Sequence, residues 1–388
     1  MRVLLITSPV ATHLMPMVPL AWALRAAGHD VLVVGQPDVL GMARQAGLEA
    51  VAVGDWFRID ELTMRRLRPG ERPLESLGRP TAELFGTFPP TWRQHSEAVL
   101  PHYLDLARRY RPQLVLADVM EVNSLAVGAL LGVPVAQHRF GVDPVSAPVR
   151  GGARRALAGL CADLGLDRLP DPDVLIDPCP PQLQLPDLEP ALPIRFVPFN
   201  GSGEVPDWVV DRRAGQRARF RVAVSLGVRT LALNGVPFVR RLLGSFEALP
   251  EVEVLATVDA GYRAELGPLP AGVRLIDPVP LHLLADSCDV VVHHGGAGSV
   301  LTASARGVPQ LALPQFADQF AHGDRLAAVG AGLTLDDVRG QDDPERVVKA
   351  VDELLTDPDY TERAGRLRDW IAQSPAPAEV VAELVRRL

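Results

Sequence analysis

Short runs of β-branched residues and leucine alternate with Ala/Leu/Arg-rich segments of helical period, and the alternation runs through both halves of the chain. This pattern constrains the fold more than any other feature, because strands that follow one another through a helix are joined as parallel neighbours. Strand candidates fall at residues 2–7, 30–34, 50–53, 113–117 and 133–137 in the first half, and at 221–226, 252–257, 273–276, 289–293 and 310–313 in the second. Gly28 and Gly132 stand where helices are expected to end before the next strand. A length of 388 residues is long for one core. The sequence therefore predicts an α/β protein of two doubly wound, Rossmann-like domains facing each other across a cleft.

A turn-rich stretch over residues 171–207, ending in Asn200-Gly201-Ser202-Gly203, separates the halves. It divides the chain into an N-terminal domain (1–198), a linker (199–220), a C-terminal domain (221–370) and a final segment (371–388). Residues 369–388 read as two short helices. Residues 55–95, with Pro69, Gly70, Pro73, Pro80, Pro89 and Pro90, read as an excursion from the first domain of the kind that carries substrate contacts.

A formal net charge of −8 argues against general affinity for nucleic acid or an anionic membrane, since both require a basic face. Cys161, Cys179 and Cys288 are scattered, which fits a reducing cytosol and excludes an obvious structural zinc site. The apolar N-terminus is interrupted by Pro9, His13, Pro16 and Pro19 and falls short of the ~20 apolar residues of a membrane span. A cytoplasmic location is the expectation.

Three segments carry chemistry. The first, His293-His294-Gly295-Gly296-Ala297-Gly298-Ser299, follows the apolar run 289–292 and precedes a helical one. Ligands of open α/β sheets bind at the carboxyl ends of strands, and glycines at a helix start let a phosphate or diphosphate approach free N–H groups. An ordinary tight turn is the bland alternative. The first strand is followed by Ser8-Pro9-Val10-Ala11-Thr12-His13 instead of GxGxxG, which disfavours a nicotinamide dehydrogenase. The second segment, Pro314–Phe320, places Asp318 and Gln319 after the next strand, where planar polar groups suit sugar hydroxyls; Asp318 could instead cap the following helix. The third is His13, after the first strand, with Asp118 closing a later strand on the same edge. A carboxylate that fixes an imidazole tautomer would let the other ring nitrogen take a proton from an alcohol. Trp56, Phe57, Phe85 and Phe140 offer an apolar acceptor wall, or are core.

These residues resemble the GT-B fold glycosyltransferases of family 1, in particular the actinobacterial enzymes that attach deoxysugars to macrolides and other polyketides. The resemblance rests on His13-Leu14 with Pro16–His29, on Val197-Pro198-Phe199-Asn200-Gly201, on Pro278-Val279-Pro280-Leu281, and most densely on residues 293–324. It covers nearly the whole chain and is weak over 55–105. The resemblance implies an N-terminal acceptor domain and a C-terminal nucleotide-sugar domain, with the last helix crossing back to the first domain. It implies His13 as general base oriented by Asp118. His294 and the turn Gly295, Gly296, Ala297, Gly298 and Ser299 would hold the diphosphate, the segment at Val279 the nucleotide base, and Asp318 with Gln319 the sugar. It further implies inverting transfer of a 6-deoxyhexose, of rhamnose or olivose type, from a dTDP-sugar to a polyketide hydroxyl, with no metal or other cofactor. Trp56, Phe85 and Phe140 are the expected acceptor contacts. Many relatives carry Thr or Ser just past the glycine that follows the first C-terminal strand, where this chain has Ser225-Leu226-Gly227-Val228. That contact passes to Ser225, Thr230 or Ser202, or is absent. The partners expected are the nucleotide sugar and the aglycone, with a homodimer left open. The chain is shorter than many macrolide relatives that rely on a helper protein, so it is expected to work unaided. A C-glycosyltransferase, a non-catalytic nucleotide-sugar-binding homologue and a sugar-nucleotide epimerase remain as alternatives.

Overall fold

The structure is a computed structural model that describes residues 1–214 and 219–387, without the side chains of 211–214 and 228–232. The N-terminal lobe holds seven strands: β1 (Arg2–Ile6), β2 (Asp30–Gly35), β3 (Glu49–Ala52), β4 (Leu114–Asp118), β5 (Val135–His138), β6 (Val174–Asp177) and β7 (Leu192–Pro193). All pair in parallel, in the order β3-β2-β1-β4-β5-β6-β7. The C-terminal lobe holds β8 (Phe220–Ser225), β9 (Val252–Thr257), β10 (Val273–Ile276), β11 (Val290–His293), β12 (Gln310–Ala312) and β13 (Gly332–Thr334). Its order, β10-β9-β8-β11-β12-β13, is again parallel throughout.

Helices cover both faces of each sheet, which is why the central strands are apolar runs without a polar face. Val3, Leu4, Leu5 and Ile6 of β1 are all fully buried. Leu4 and Ile6 join one core with Val115 and Ala117, while Val3 and Leu5 join the other with Leu114 and Leu116. The same period of two divides Val222 and Val224 from Ala223 in β8.

Three short strands escaped the sequence reading. β6 is flanked by Pro170, Pro172, Pro178 and Pro180, and β7 contains Pro193, so the stretch over 171–207 looked like continuous linker. Proline is tolerated at strand ends and near sheet edges, and these residues complete the first sheet. β13, three residues ending a sheet, is too short to carry a period. Residues 369–373 belong to the end of the Pro358–Gln373 helix, leaving Pro377–Arg387 as the one short terminal helix.

That terminal helix lies on the Val18–Ala26 helix of the first lobe and buries Val380, Val381 and Leu384 in the N-terminal core. A second apolar seam joins Val142, Leu183 and Phe196 to Val300, Leu326 and Leu367. The excursion over 55–95, expected to carry substrate contacts, makes ion pairs between the lobes. Arg72 donates to Gln341 Oε1 at 3.3 Å and pairs with Asp342 at 3.0 Å, with its guanidinium 4.3 Å from the Phe238 ring centroid. Arg79 pairs with Asp336 at 2.7 Å and also with Asp324. No helix among the described residues is long and apolar enough to cross a membrane.

Candidate active site

In a doubly wound sheet the crevice opens where neighbouring strands send their connections to opposite faces, at their carboxyl ends. In the first sheet that point lies between β1 and β4, and in the second between β8 and β11. His13 follows β1 and Asp118 ends β4; Gly227 follows β8 and His294 follows β11. Topology alone therefore brings two pairs of distant residues together.

On the N-terminal side, Ile6 is in register with Ala117, so Thr7 and Ser8 leave the sheet beside Asp118. The Asp118 carboxylate is fully buried. Its Oδ2 accepts from the Ser8 N–H at 2.7 Å and from Thr7 Oγ1 at 3.2 Å, and its Oδ1 from the Met120 N–H at 2.9 Å and Ser8 Oγ at 3.2 Å. Burial, with the nearby Glu121 charge, nonetheless pushes Asp118 up to about 6. His13 approaches Asp118 Oδ1 only to 3.7 Å, whereas its Nδ1 lies 2.7 Å from Ser8 Oγ. The expected direct His13–Asp118 hydrogen bond is thus replaced by one through Ser8. The imidazole stacks on Phe140, centroids 4.1 Å apart, and stays 22% exposed.

On the C-terminal side the two histidines have different tasks. His293 is fully buried, its Nδ1 accepting from the Gly295 N–H at 2.9 Å and its Nε2 lying 2.8 Å from Gln310 Oε1. An acceptor at Nδ1 places the hydrogen on Nε2, which donates to Gln310, whose amide in turn donates to Ser304 Oγ at 3.0 Å. Burial holds this neutral imidazole down to about 4. It shapes the turn, and His294 is left to face the loop after β8. A Cβ built on Gly296 would stand 2.4 Å from His294 Nε2, and one on Gly227 3.0 Å from His294 Cε1, so both glycines leave room for the Cε1–Nε2 end of the ring. Gly296 opens the Ala297–Arg306 helix with no side-chain cap on its first-turn N–H groups, while the Ser299 N–H turns back to Gly296 O at 3.0 Å.

The loop after β12 closes on this turn: a Cβ on Gly295 would meet Gln319 O at 2.8 Å. Gln319 Oε1 accepts from the Gln315 N–H at 2.8 Å and the Phe316 N–H at 3.3 Å, so half of its amide is committed to holding the loop. Asp318 makes no side-chain cap to the Gln319–Val329 helix, which removes the capping explanation for it. Its carbonyl lies 2.9 Å from His322 Nδ1.

The remaining expected residues spread further. Ser225 is paired in register with His293 at the end of β8. Val279 is half-buried in the loop after β10. Ser202 is exposed, its N–H 3.4 Å from Gln45 Oε1, and its neighbour Gly203 lies against Pro280. Thr230 lies outside the described side chains. Phe140 is at His13, Phe85 packs against the N-terminal core, and Trp56 is 60% exposed with Arg58 5.9 Å from its ring centroid. Sequence reasoning missed Ser8, hidden in an apolar run, and assigned no role to Asn200. The Asn200 Oδ1 accepts from Thr302 Oγ1 and from the His282 N–H, both at 3.1 Å, and its Nδ2 faces Gly298 in the first turn of the helix.

The two sides meet next to Phe140. A Cβ on Gly141 would stand 2.8 Å from His322 Nε2 and 3.1 Å from the Ala297 Cβ, so one residue separates the ring stacked on His13 from the start of the glycine-turn helix. His13 and the uncapped start of the Ala297–Arg306 helix thus approach each other across Phe140 and Gly141.

Residues 22–227 match the N-terminal domain, and residues 240–387 the C-terminal domain, of the erythromycin biosynthesis protein CIII-like family. The chain belongs to that family. As an erythromycin CIII-like protein it is a glycosyltransferase of the GT-B fold, similar to enzymes of actinobacterial polyketide pathways. It is 39% identical to an L-demethylnoviosyl transferase of Streptomyces niveus, over 99% of this chain and 97% of that one. It is 33% identical to a 10-deoxymethynolide desosaminyltransferase of Streptomyces venezuelae, over 100% and 97%. The spinosyn rhamnosyltransferase SpnG matches with a TM-score of 0.88 at 36% identity over 100% of both chains. SpnG complexed with thymidine diphosphate, and with spinosyn aglycone, matches at 0.87 and 36% identity over 99% of this chain and 100% of that one.

Proposed function

We propose that this glycosyltransferase moves a 6-deoxyhexose from a dTDP-sugar to a hydroxyl of a macrolide-type or aromatic polyketide aglycone, with inversion at the anomeric carbon and without a helper protein. The observation that carries the reading is the placement of His13, held through Ser8 on Asp118, one residue step across Phe140 and Gly141 from the Ala297 helix start. Support for the ligand classes comes from SpnG, which has been seen with thymidine diphosphate and with an aglycone.

His13 Nε2 takes the proton of the acceptor hydroxyl as the oxygen bonds to the anomeric carbon. The bond from that carbon to the diphosphate breaks, and its electron pair leaves with the diphosphate. N–H groups at the helix start, the helix dipole and His294 stabilise the charge that develops there, a role that asks for no metal. Asn200 faces the same first turn, the backbone at Val279 meets the nucleotide base, and Asp318 and the free half of the Gln319 amide meet the sugar hydroxyls. The expected outcome of replacing Asp318 by Ala is a ~10–100-fold fall in kcat/KM for the donor, the cost of one or two charge-assisted hydrogen bonds. Unaltered donor kinetics would remove Asp318 from the sugar site.

The pH dependence follows from Asp118, which is faced by His13, Glu121 and Tyr103. Above about 6 the carboxylate is ionised and can orient and stabilise an imidazolium through Ser8; below about 6 it is protonated and cannot. Transfer should decline on acidification through pH 6, as read from kcat against pH, and a rate constant down to pH 5 would contradict the assignment. The sign for stability is opposite. A carboxyl raised from 3.8 to about 6 contributes stability below 3.8 that is lost as pH rises through 6, so the ionised state needed for catalysis is held at a cost.

The purified chain, alone, should convert one of a panel of dTDP- and UDP-sugars with polyketide aglycones into a product heavier by one sugar residue, detected by mass spectrometry. Absence of product with every pair until a second protein is added would overturn unaided transfer.

A further inference from the structure

We propose that Ser8 is a positioning residue of the transfer reaction: its hydroxyl, held between Asp118 Oδ1 and His13 Nδ1, selects the imidazole tautomer that leaves Nε2 as the proton acceptor. The inference rests on the reading of His13 as the base and adds how that base is prepared. Ser8 is fully buried, its N–H bonds Asp118 Oδ2 at 2.7 Å, and its Oγ lies 2.7 Å from His13 Nδ1 and 3.2 Å from Asp118 Oδ1. The 3.7 Å from His13 Nδ1 to Asp118 Oδ1 is beyond hydrogen-bond range, so the hydrogen-bonded route from carboxylate to imidazole runs through this hydroxyl.

The hydroxyl has one hydrogen and two neighbours that compete for it. An ionised carboxylate only accepts, and a charge-assisted bond is the stronger, so the hydrogen goes to Asp118. The Ser8 oxygen then has lone pairs for a donor, and the neighbour at 2.7 Å must supply one: His13 carries its hydrogen on Nδ1. When Nε2 takes the acceptor proton, the positive charge at Nδ1–H is met by an oxygen already polarised by the carboxylate, and no hydrogen has to leave Ser8. The imidazolium later releases its proton to solvent. Protonation of Asp118 reverses the order: the acid hydrogen can go to Ser8 Oγ, Ser8 can donate to Nδ1, and the hydrogen on the ring moves to Nε2, where it blocks the base.

Two measurements on the full chain test this. Transfer rates are compared for wild type, Ser8→Ala, His13→Ala and the double variant, with TDP binding by calorimetry as the check of folding; Ser8→Gly removes the same hydroxyl if the alanine variant does not fold. The expected result is a roughly 10–100-fold loss for Ser8→Ala, no larger than the ~10²–10⁴-fold loss expected for the base itself, and a further change of no more than about twofold when Ser8→Ala is added to His13→Ala. In parallel, ¹⁵N NMR of histidine-labelled protein at pH 7.5, with His13→Ala to assign the signal, should show His13 protonated at Nδ1. A slow His13→Ala with a normal Ser8→Ala, equal losses from Ser8→Ala in both backgrounds, or a His13 hydrogen on Nε2 would overturn the relay and leave the base in place. A normal His13→Ala rate would remove base and relay together.

Discussion

Replacing His13 by Ala is expected to lower kcat by ~10²–10⁴-fold while TDP affinity changes by less than about twofold. The reason for the separation is architectural. His13 belongs to the four-residue Ala11–Leu14 helix at the end of β1, in the lobe opposite the glycine turn, and its contacts include Ser8 and Phe140. Removing the imidazole takes away the proposed proton acceptor and leaves Gly296, Ala297 and His294 as they were. An alcohol is too weak an acid to attack a sugar carbon at neutral pH without such a group, so the loss falls on turnover. Kinetics with saturating donor, beside TDP calorimetry, read both halves of the statement, and a variant with wild-type kcat would show that another group takes the proton.

Gly296→Val should do the reverse, weakening TDP binding roughly 10–100-fold with the fold retained, equivalent to the loss of one or two good hydrogen bonds at about 1.4 kcal/mol per tenfold. The branched side chain would begin at a Cβ only 2.4 Å from His294 Nε2, and Gly227 also stands close to the Cε1–Nε2 end of the ring. Displacing His294 removes one of the proposed diphosphate donors, and the added methyl groups crowd the first-turn N–H groups. Calorimetry with TDP and circular dichroism of the same sample would show it. Unchanged affinity would mean that the diphosphate is held elsewhere, at the loop after β8 or by Asn200 and the linker.

The two predictions also show why some of this site was readable from the chain and some was not. β1, β4, β8 and β11 are largely buried on both faces, so they are written as mostly apolar runs, and their carboxyl ends locate His13, Asp118 and the paired-histidine turn. Glycine clusters were legible for the same kind of reason: 227, 295 and 296 are places where a Cβ would collide with His294 or Gln319. What sequence could not assign was the division of labour between neighbours of one residue type. His293 and His294 are adjacent and chemically identical, and only the Gln310–Ser304 chain of bonds makes the first a buried prop. Ser8 gave no signal, because a serine between a strand and a proline is an ordinary turn residue until Asp118 arrives from 110 positions away. β6 and β7 were hidden by flanking prolines, and the excursion over 55–95 by its lack of period. Its arginines show their purpose only when Asp342 and Asp336 of the other lobe come within reach.

With the proposed base on one wall and the diphosphate on the other, the proposed displacement runs in line through the anomeric carbon between them, which makes the stereochemistry of the product the most direct test. The anomeric configuration of donor and product, read from proton and carbon couplings by NMR, should be opposite. A product that keeps the configuration of its donor would contradict direct displacement by an alcohol activated at His13.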